Sequence, residues 1–386
     1  MPSLPEFLET QRPTWVEIDL RAFERNVAAI ASRLPAGTKL CAVLKADAYG
    51  HGAVELARRC KPEQVAMISV ALLEEALELR REGIALPILV LGPLDERKVR
   101  IAIEHGITIG VPGPEELEAA AEVAKEMDVA IHLKLDSGMG RMGIVESELP
   151  RVMELIRSAP RLRVDALYTH FANADDVRDP FTQEQVARFE TLVETLREAG
   201  LTASLHHVAN SAATFRGITP GDFARVGIAL YGVEAVPHER LEPVMRWRTA
   251  IARLKDLPAG HAIGYGTTFH TTRASRIATL PVGYADGYPR DLSNIGEVLV
   301  RGKRAPIVGR VSMDLVTIDV TDIDEPAIGD EVVLLGRQGD DEIAVEDLAA
   351  KLDTIPYEVV CGVSARVARV YRDGDTLTRI RTRFDA

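Results

Sequence analysis

Lys45 is the residue whose chemistry stands out first in this sequence. It follows the apolar residues 40–44 and opens a glycine-bounded segment at 45–52, so a buried strand is predicted to deliver it to a loop. Burial disfavours the charged ammonium, lowers the pKa of a lysine and makes its amine a nucleophile toward carbonyl compounds. A strand-end lysine whose ammonium simply reaches solvent is the alternative interpretation.

Residues 132–141 combine a polar strand face with a glycine turn. His132, Lys134 and Asp136 alternate with apolar residues, so a strand would present all three polar side chains on one face. Because strands buried on both faces are normally apolar throughout, this face indicates a lined site in the interior of a barrel. Two glycines then permit a tight turn that presents Arg141. A structural ion pair of Asp136 with Lys134 or with Arg141 is the alternative.

Further candidates lie at other predicted strand ends. A hydrogen-bonded structural role for His170 is as consistent with its position as catalysis. Asn210 and Ser211 open a short helix and suit either a phosphate group or an ordinary helix cap. Arg225 and Gly227 stand where the last strands of a barrel often cradle phosphate, although an arginine paired with an acid is the alternative there.

Together these residues supply an amine, an anion cradle, a histidine and an arginine, which is what pyridoxal phosphate requires of a protein. His206 and His207 could suggest a metal ligand pair. Neighbouring residues of one strand face opposite ways, however, and cannot bind one ion together. We therefore expect no metal.

The elements that must position these residues alternate regularly along the chain. Eight apolar runs are predicted as strands, at 40–44, 67–71, 87–91, 107–111, 130–135, 164–171, 204–209 and 224–231. Helical patterns lie at 21–34, 53–59, 72–82, 96–104, 115–127, 149–158 and 181–199, with Pro114 at one start and Gly83, Gly106 and Gly200 at three ends. This α/β alternation predicts an N-terminal (β/α)8 barrel of the TIM type, whose working residues sit at the C-terminal ends of its strands. An open doubly wound sheet is the alternative.

Beyond the barrel the pattern changes to a mostly β domain. β-branched runs take over at 277–282, 297–300, 306–311, 316–320 and 331–335, with one helix at 345–352. Arg301-Gly302-Lys303 is typical of a hairpin turn. We predict domains at 1–245 and 246–386. The strand before Arg21 is surplus to eight barrel strands, so residues 1–14 and this strand are expected to pack with the second domain.

Composition restricts the class of partner. The chain has 386 residues and a formal net charge of -12, without the basic tract that nucleic-acid binding demands. No apolar run approaches the roughly 20 residues of a membrane span, and residues 1–13 lack an apolar signal core. The three cysteines, Cys41, Cys60 and Cys361, suit reduced thiols rather than a disulfide framework. We expect a cytoplasmic protein with no nucleic-acid or membrane partner.

Ten segments carry a resemblance to a known family. They are RPTWVEIDLRAFERN at 12–26, KADAYGHG at 45–52, HLKLDSGMGRMG at 132–143, THFANAD at 169–175, HHVANSAA at 206–213, RVGIALYG at 225–232, IGYGTTF at 263–269, VGYADGYPR at 282–290, VGRVSMDL at 308–315 and TIPYEVVCGVSAR at 354–366. In this order they resemble the alanine racemases, which are pyridoxal-phosphate-dependent isomerases. Val226 stands where many of those proteins have proline.

The resemblance implies how the cofactor is held. Lys45 would carry pyridoxal phosphate as an internal aldimine, Tyr49 would line the same pocket and His170 would pack on the pyridine ring. The residues implied around the phosphate are Asn210, Ser211, Gly227, Ile228 and Tyr357. Arg225 would face the pyridine nitrogen. Because arginine keeps its proton, the nitrogen would stay unprotonated and a full carbanion would be disfavoured.

The resemblance also implies a two-base mechanism. Lys45 would serve one face of the substrate Cα and Tyr265 the other, with Tyr265 contributed by the partner subunit of a homodimer. A phenol titrates near pH ~10, so this tyrosine needs cationic or hydrogen-bonded neighbours, for which His170 and Arg225 are candidates.

The implied substrate is alanine, a small amino acid. Arg141 and the backbone of Met313 would receive its carboxylate, with Asp314 beside them and Tyr284 narrowing the entrance. Lys134 matches a position that relatives carbamylate with CO2. A carbamate there would orient Arg141 bidentately.

The function implied is the interconversion of L-alanine and D-alanine, which supplies D-alanine for peptidoglycan. A broader racemase of small amino acids, a decarboxylase on the same barrel and a non-enzymatic cofactor-binding protein are the alternatives. The Tyr265 segment argues against the decarboxylase, and the complete β domain argues against the binding protein. Specificity among small amino acids and a biosynthetic or catabolic role stay open.

Overall fold

The computed structural model describes residues 4–218, 221–236 and 241–383, and the chain forms two compact units. The barrel unit comprises Glu24–Ala48 and Ala53–Leu241, and the β unit comprises Met1–Phe23, Tyr49–Gly52 and Glu242–Ala386. The first elements in the chain are α1 (Leu4–Thr10), β1 (Thr14–Asp19) and α2 (Leu20–Arg33).

Eight parallel strands form the sheet of the barrel unit, which confirms the predicted fold class. They are β2 (Lys39–Val43), β3 (Val65–Val70), β4 (Ile88–Val90), β5 (Thr108–Val111), β6 (Val129–Lys134), β7 (Leu162–Tyr168), β8 (Leu205–His207) and β9 (Phe223–Val226). Sequential strands from β2 to β8 pair with one another, and β9 returns to pair with β2. The N–H of Asp222 donates to the carbonyl of His206 at 2.6 Å and that of Arg225 to Ala209 at 2.9 Å. The barrel is therefore near-closed, which disfavours the open doubly wound alternative.

Helical segments connect these strands at the predicted places, except that a short left-handed turn, Lys45–Tyr49, occupies residues predicted as a loop. They are α3 (Lys45–Tyr49), α4 (Ala53–Ala57), α5 (Leu73–Arg81), α6 (Glu96–Glu104), α7 (Pro114–Val123), α8 (Leu149–Ser158), α9 (Phe181–Glu198) and α10 (Ser211–Phe215). Local sequence sets several boundaries. The Asp95 side chain accepts from the Lys98 N–H at 2.9 Å and caps α6, while Pro114 occupies the first turn of α7. The glycines that follow α5 and α6 have positive φ, which glycine adopts at no steric cost.

The β unit contains the remaining strands and two more helices. They are β10 (Met245–Ala250), β11 (Arg253–Leu257), β12 (Ala262–Ile263), β13 (Phe269–His270), β14 (Ser275–Leu280), β15 (Glu297–Val300), β16 (Lys303–Pro306), β17 (Val316–Asp319), β18 (Glu331–Gln338), β19 (Asp341–Ile343), β20 (Ala368–Asp373), β21 (Thr376–Arg381), α11 (Val345–Lys351) and α12 (Pro356–Cys361). The main sheet runs in the order β16-β15-β18-β10-β1-β20-β21. β1 is antiparallel to β10 and parallel to β20, so the N-terminal strand is an interior strand of this sheet.

Two strand predictions were wrong. The run at 224–231 is not one strand, because β9 ends at Val226 and Ile228–Tyr231 forms a 3-10 turn. The run at 306–311 overlaps β16 only at Pro306. The predicted hairpin accounts for the shift, because Arg301 and Gly302 have φ of 51° and 76° and the two-residue loop pairs Val300 with Lys303.

Sequence patterns also missed α1 and α12. In the part of the chain that the structure describes, no helix is both long and apolar enough to cross a membrane.

Candidate active site

Lys45 lies at the carboxyl end of β2, directly before a left-handed turn. The N–H of Leu44 still donates to the Ser69 carbonyl at 2.9 Å, so the strand register holds up to the lysine. The next four residues, 46–49, have φ of 53°, 52°, 53° and 54°. A left-handed helical residue other than glycine costs roughly 1–2 kcal/mol. The turn is thus strained backbone next to a nucleophile, and such strain clusters at functional sites.

Two carboxylates hold this turn within the barrel unit. Glu75 Oε1 accepts from the Ala46 N–H at 2.6 Å, and Asp47 Oδ1 accepts from the Ala53 N–H at 2.9 Å. Each acceptor satisfies a backbone donor that the irregular turn removes from regular pairing. The loop predicted between glycines is therefore an ordered structure that sets the direction in which Lys45 leaves the strand.

Arg225 lies on β9 with only 4% of its surface exposed. Its Nη1 donates to the His207 carbonyl at 2.6 Å and to His207 Nδ1 at 2.7 Å, and its Nη2 donates to the Thr169 carbonyl at 2.5 Å. Burial lowers the pKa of Arg225 from its usual value, although a guanidinium keeps its proton in proteins. The alternative prediction, an arginine paired with an acid, does not hold, since no acid is among its hydrogen-bond partners in the described chain.

His170 follows β7 and is electrically neutral. Arg225 Nη2 donates to His170 Nδ1 at 3.4 Å, a long contact. Burial is the main cause that lowers the pKa of His170 to about 3, and the charges of Arg225, Lys134, Arg141 and Lys45 lower it further. A neutral imidazole at this position can pack against an aromatic ligand without adding another positive charge.

Lys134 ends β6 and is 7% exposed. Burial lowers its pKa to about 8, with Arg141 and Arg225 acting in the same direction and Asp136 opposing them. The carboxylate of Asp136 accepts instead from the N–H groups of Gly138 (2.8 Å) and Gly140 (2.9 Å). Among the ion pairs of the described residues none joins Lys134 or Arg141 to an acid, so the alternative ion pair of Asp136 was wrong.

The four cations Lys45, Lys134, Arg141 and Arg225 form a positively charged cluster at the carboxyl ends of the barrel strands. All four act electrostatically on His170, and the carboxylate of Asp136 acts in the opposite direction on Lys134. Like charges gathered in a partly buried place raise the free energy of the protein, and an anionic ligand removes that cost. The chemistry of this cluster fits a phosphate and a carboxylate.

Four of the five predicted phosphate residues, Asn210, Ser211, Gly227 and Ile228, belong to the barrel unit, and Tyr357 belongs to the β unit. Asn210 Oδ1 accepts from the Ala213 N–H at 3.0 Å, so its side chain caps α10, as the alternative interpretation of this residue held. Ser211 Oγ accepts from the Gly227 N–H at 3.0 Å, which joins the start of α10 to the end of β9. Ile228 follows as a buried residue.

The remaining candidates belong to the β unit. Tyr265 is 73% exposed and stands between Gly264 and Gly266, both with positive φ. The Ala285 N–H donates to the Met313 carbonyl at 3.0 Å, which brings the Tyr284 segment beside Met313.

An ion pair and an aromatic contact involve three other candidate residues of the β unit, Asp314, Tyr49 and Tyr357. Asp314 forms an ion pair with Arg366 at 2.7 Å. The rings of Tyr49 and Tyr357 lie 5.9 Å apart at an angle of 49°. Burial raises the pKa of Tyr49.

Sequence reasoning overlooked His207 as a partner of Arg225. Strand alternation was the signal that could have found it, because His207 is buried while its neighbour His206 is partly exposed and meets the edge of Phe189 at 5.9 Å. The described residues contain no group of three or more His, Cys, Asp or Glu side chains arranged for a metal ion.

A parallel barrel with polar and charged side chains at the carboxyl ends of its strands is the architecture of a barrel enzyme. Residues 18–235 match the profile of the alanine racemase N-terminal domain, and residues 244–371 match that of the C-terminal domain. The chain belongs to the alanine racemase family and is an isomerase.

Relatives named alanine racemase and solved structures agree with this assignment. The alanine racemase of Halothermothrix orenii is 42% identical over 369 residues, which cover 94% of this chain and 97% of that protein. That of Symbiobacterium thermophilum is 41% identical over 373 residues, covering 94% and 98%. The crystal structure of the Bacillus anthracis alanine racemase with bound L-Ala-P superposes with a TM-score of 0.91 at 38% identity, covering 96% of this chain and 98% of that one.

Proposed function

We propose that the chain interconverts L-alanine and D-alanine with pyridoxal phosphate held by Lys45. The observation that carries the proposal is the group of basic residues at the barrel mouth, in which the charges of Lys45, Arg141 and Arg225 remain when Lys134 is modified and would be neutralised by an anionic cofactor and an anionic substrate. The names of the relatives supply the substrate.

The residues present fit the cofactor. When bound, pyridoxal phosphate withdraws electrons from an attached amino acid and so acidifies the hydrogen on its Cα. The amine of Lys45 would hold the cofactor through its aldehyde group, and Tyr49 is proposed as a further cofactor-binding residue. Arg225 would donate to the pyridine nitrogen. Its two terminal nitrogens are already engaged in the described hydrogen bonds and Nε–H is not, so Nε–H is the donor that this role would use. The neutral ring of His170 would pack on the pyridine.

The phosphate is bound by the set that joins α10 to β9. Ser211 Oγ accepts from the Gly227 N–H at 3.0 Å, which leaves the Ser211 hydroxyl hydrogen as a donor for an anion. The complete proposed set is Asn210, Ser211, Gly227, Ile228 and Tyr357. Asn210 contributes by fixing the start of α10.

Arg141 would bind the substrate carboxylate. In the β unit, the backbone of Met313 is proposed as a further carboxylate donor, with Asp314 and Tyr284 as the other substrate-binding residues. Arg141 is exposed and, in the described residues, has no acidic partner that would have to be displaced. The bound L-Ala-P of the Bacillus anthracis structure agrees with an alanine-sized substrate.

Lys45 and Tyr265 act as the two bases, one on each face of the substrate Cα. Tyr265 of the partner subunit serves this site in a homodimer. An exposed fraction of 73% is high for a tyrosine, and exposed apolar side chains at Met313 (53%) and Leu315 (46%) are typical of an interface. Once a partner covers it, the phenol sits near Arg225 and His170, and the charge of Arg225 would favour its ionised form.

Lys134 carries a carbamate that orients Arg141. Its lowered pKa of about 8 supplies the neutral amine that reacts with CO2. The modification replaces a cation of the cluster with an anion, which can accept bidentate hydrogen bonds from the guanidinium. The product D-alanine is used in peptidoglycan, and rescue of a bacterium that requires D-alanine tests that role.

A steady-state assay of both alanine enantiomers and of serine tests the proposed function. We expect purified protein with visible absorption from the bound cofactor and similar maximal conversion in both directions, with alanine preferred over serine. The Lys45→Ala variant is the control and loses both the colour and the turnover. Colourless wild-type protein that leaves both enantiomers unchanged would overturn the proposal, and equal rates on serine would favour the broader racemase.

A further inference from the structure

We propose that His132 is a positioning residue that acts through His207 on the guanidinium of Arg225. The inference rests on the proposed function, since Arg225 is the residue proposed to face the cofactor. His132 itself lies on β6 and has no hydrogen bond to Arg225 in the described chain.

The three side chains form one continuous line of hydrogen bonds inside the barrel unit. Arg225 Nη1 lies 2.7 Å from His207 Nδ1, and His207 Nε2 lies 3.0 Å from His132 Nδ1. Both histidines are almost fully buried, His132 at 3% exposed and His207 at 1%. Water therefore has little access to any link of the line.

The donors and acceptors in this line can be arranged in only one direction. A guanidinium can only donate, so His207 Nδ1 accepts and the proton of His207 is on Nε2. That Nε2–H must then donate to His132 Nδ1, which leaves the proton of His132 on Nε2. By accepting from Nε2–H, His132 stabilises the tautomer of His207 that Arg225 requires, as the second hydrogen-bond partner of a histidine does at metal sites.

Packing holds the His207 ring in this orientation. It stacks on Tyr168 with centroids 4.7 Å apart and an angle of 5°, and Phe223 meets its edge at 6.1 Å. The Arg225 guanidinium lies over the same Tyr168 ring at 5.4 Å. A rigid ring transmits a change of tautomer to the guanidinium instead of absorbing it by rotation.

The consequence concerns the free donor of Arg225. With Nη1 fixed by His207 and Nη2 by the Thr169 carbonyl, the guanidinium plane is set, and Nε–H is the donor left for the pyridine nitrogen in the proposed function. Loss of the His132 acceptor allows His207 to move its proton to Nδ1. Two donors then face each other at 2.7 Å, and the guanidinium must turn away.

Three variants of the full-length protein test this inference. His132→Leu removes the acceptor, His132→Asn retains an acceptor oxygen near the position of Nδ1, and His206→Leu is a matched control on the same strand as His207 but outside the line. The first measurement is 15N NMR of the histidine rings without cofactor, which reports the tautomer directly. The second is titration of the stripped protein with pyridoxal phosphate.

We expect wild-type His207 to carry its proton on Nε2. In His132→Leu it should populate both tautomers, and the affinity for pyridoxal phosphate should fall about tenfold, the size of one buried hydrogen bond. His132→Asn should restore both readings and His206→Leu should leave both unchanged.

A wild-type His207 with its proton on Nδ1 overturns the inference, and this reading needs no variant to fold. Wild-type affinity in a folded His132→Leu also overturns it. A wild-type protein that binds no pyridoxal phosphate refutes the proposed function instead. The NMR measurement of the His207 tautomer still tests the hydrogen bonds that join His132, His207 and Arg225.

Discussion

Carbamylation of Lys134 is the prediction for which the structure gives a magnitude. With a pKa of about 8, roughly a quarter of the side chain is neutral amine at pH 7.5, against about 0.1% for a lysine of ordinary pKa. The species that attacks CO2 is thus enriched by about two orders of magnitude. The amine nitrogen bonds the carbon of CO2 and releases a proton, so the reaction also removes a buried positive charge.

The assay is 13C NMR of protein in 13C-bicarbonate at pH 7.5. We expect one carbamate signal in the wild type, none in Lys134→Met, and an unchanged signal in Lys61→Met, where the lysine side chain is 61% exposed. Loss of the carbamate deprives Arg141 of a charge-assisted partner worth about 1.5–3 kcal/mol, so kcat/KM for alanine should fall about 10- to 100-fold in Lys134→Met.

The absence of a carbamate signal from wild-type protein at saturating bicarbonate would refute this reasoning. A signal that persists in Lys134→Met would place the modification on another amine. Full kcat/KM in that variant would show that the carbamate, where present, does not support the binding of substrate.

The remaining predictions concern stability. Gly110→Ala should destabilise the protein by about 1–3 kcal/mol in urea unfolding, because an added Cβ would lie 2.6 Å from Tyr168 Oη in a barrel strand; unchanged unfolding would mean that the ring has room to move. The pKa of His132 is lowered to about 4 and that of His170 to about 3, and the pKa of His207 is also lowered, in each case mainly by burial. Unfolding frees these groups to bind protons near pH ~6.5. Their stabilising contribution is therefore complete above that pH and is lost as the pH falls toward 4. The measurement is the proton uptake on unfolding at pH 5, which should be smaller in His132→Leu than in the wild type. An uptake that is no smaller in the variant would contradict this prediction.

Much of the barrel could be predicted because its signals are local. The caps and stops at Asp95, Pro114, Gly83 and Gly106 act within one helical turn, and α6 has the predicted bounds. Short apolar runs between the helical patterns identified the strand positions. The end of β9 was not predicted correctly, because the apolar run continues through the 3-10 turn that follows the strand.

The site was less accessible to sequence reasoning, because its geometry depends on distant partners. Nothing in the residues 46–49 favours positive φ; the turn is held by Glu75, which is 29 positions from Ala46. Asp136 was open to several interpretations, and only the structure shows that its carboxylate binds the N–H groups of the following loop. The resemblance to a family supplied the candidate site residues, whereas the clustering of the basic residues could be recognised only in the structure.

In the β unit, too, sequence patterns could not identify which strands pair with one another, because the paired strands are far apart in the sequence. β1 could be recognised as a strand, but its neighbours β10 and β20 lie more than 200 positions along the chain. The helix α12 carries a signal that we overlooked, since Pro356 stands at its first turn. Its six residues are too few for periodicity to show.

The exchange of the α-hydrogen with solvent deuterium, measured for each enantiomer separately in Tyr265→Phe, tests the central claim most directly. The phenol is proposed to serve one face of Cα and Lys45 the other, so removal of the hydroxyl should leave cofactor absorption intact and abolish most turnover. The loss should fall more heavily on proton abstraction from L-alanine than from D-alanine. Symmetric exchange at near wild-type rates from both enantiomers would contradict the two-base account.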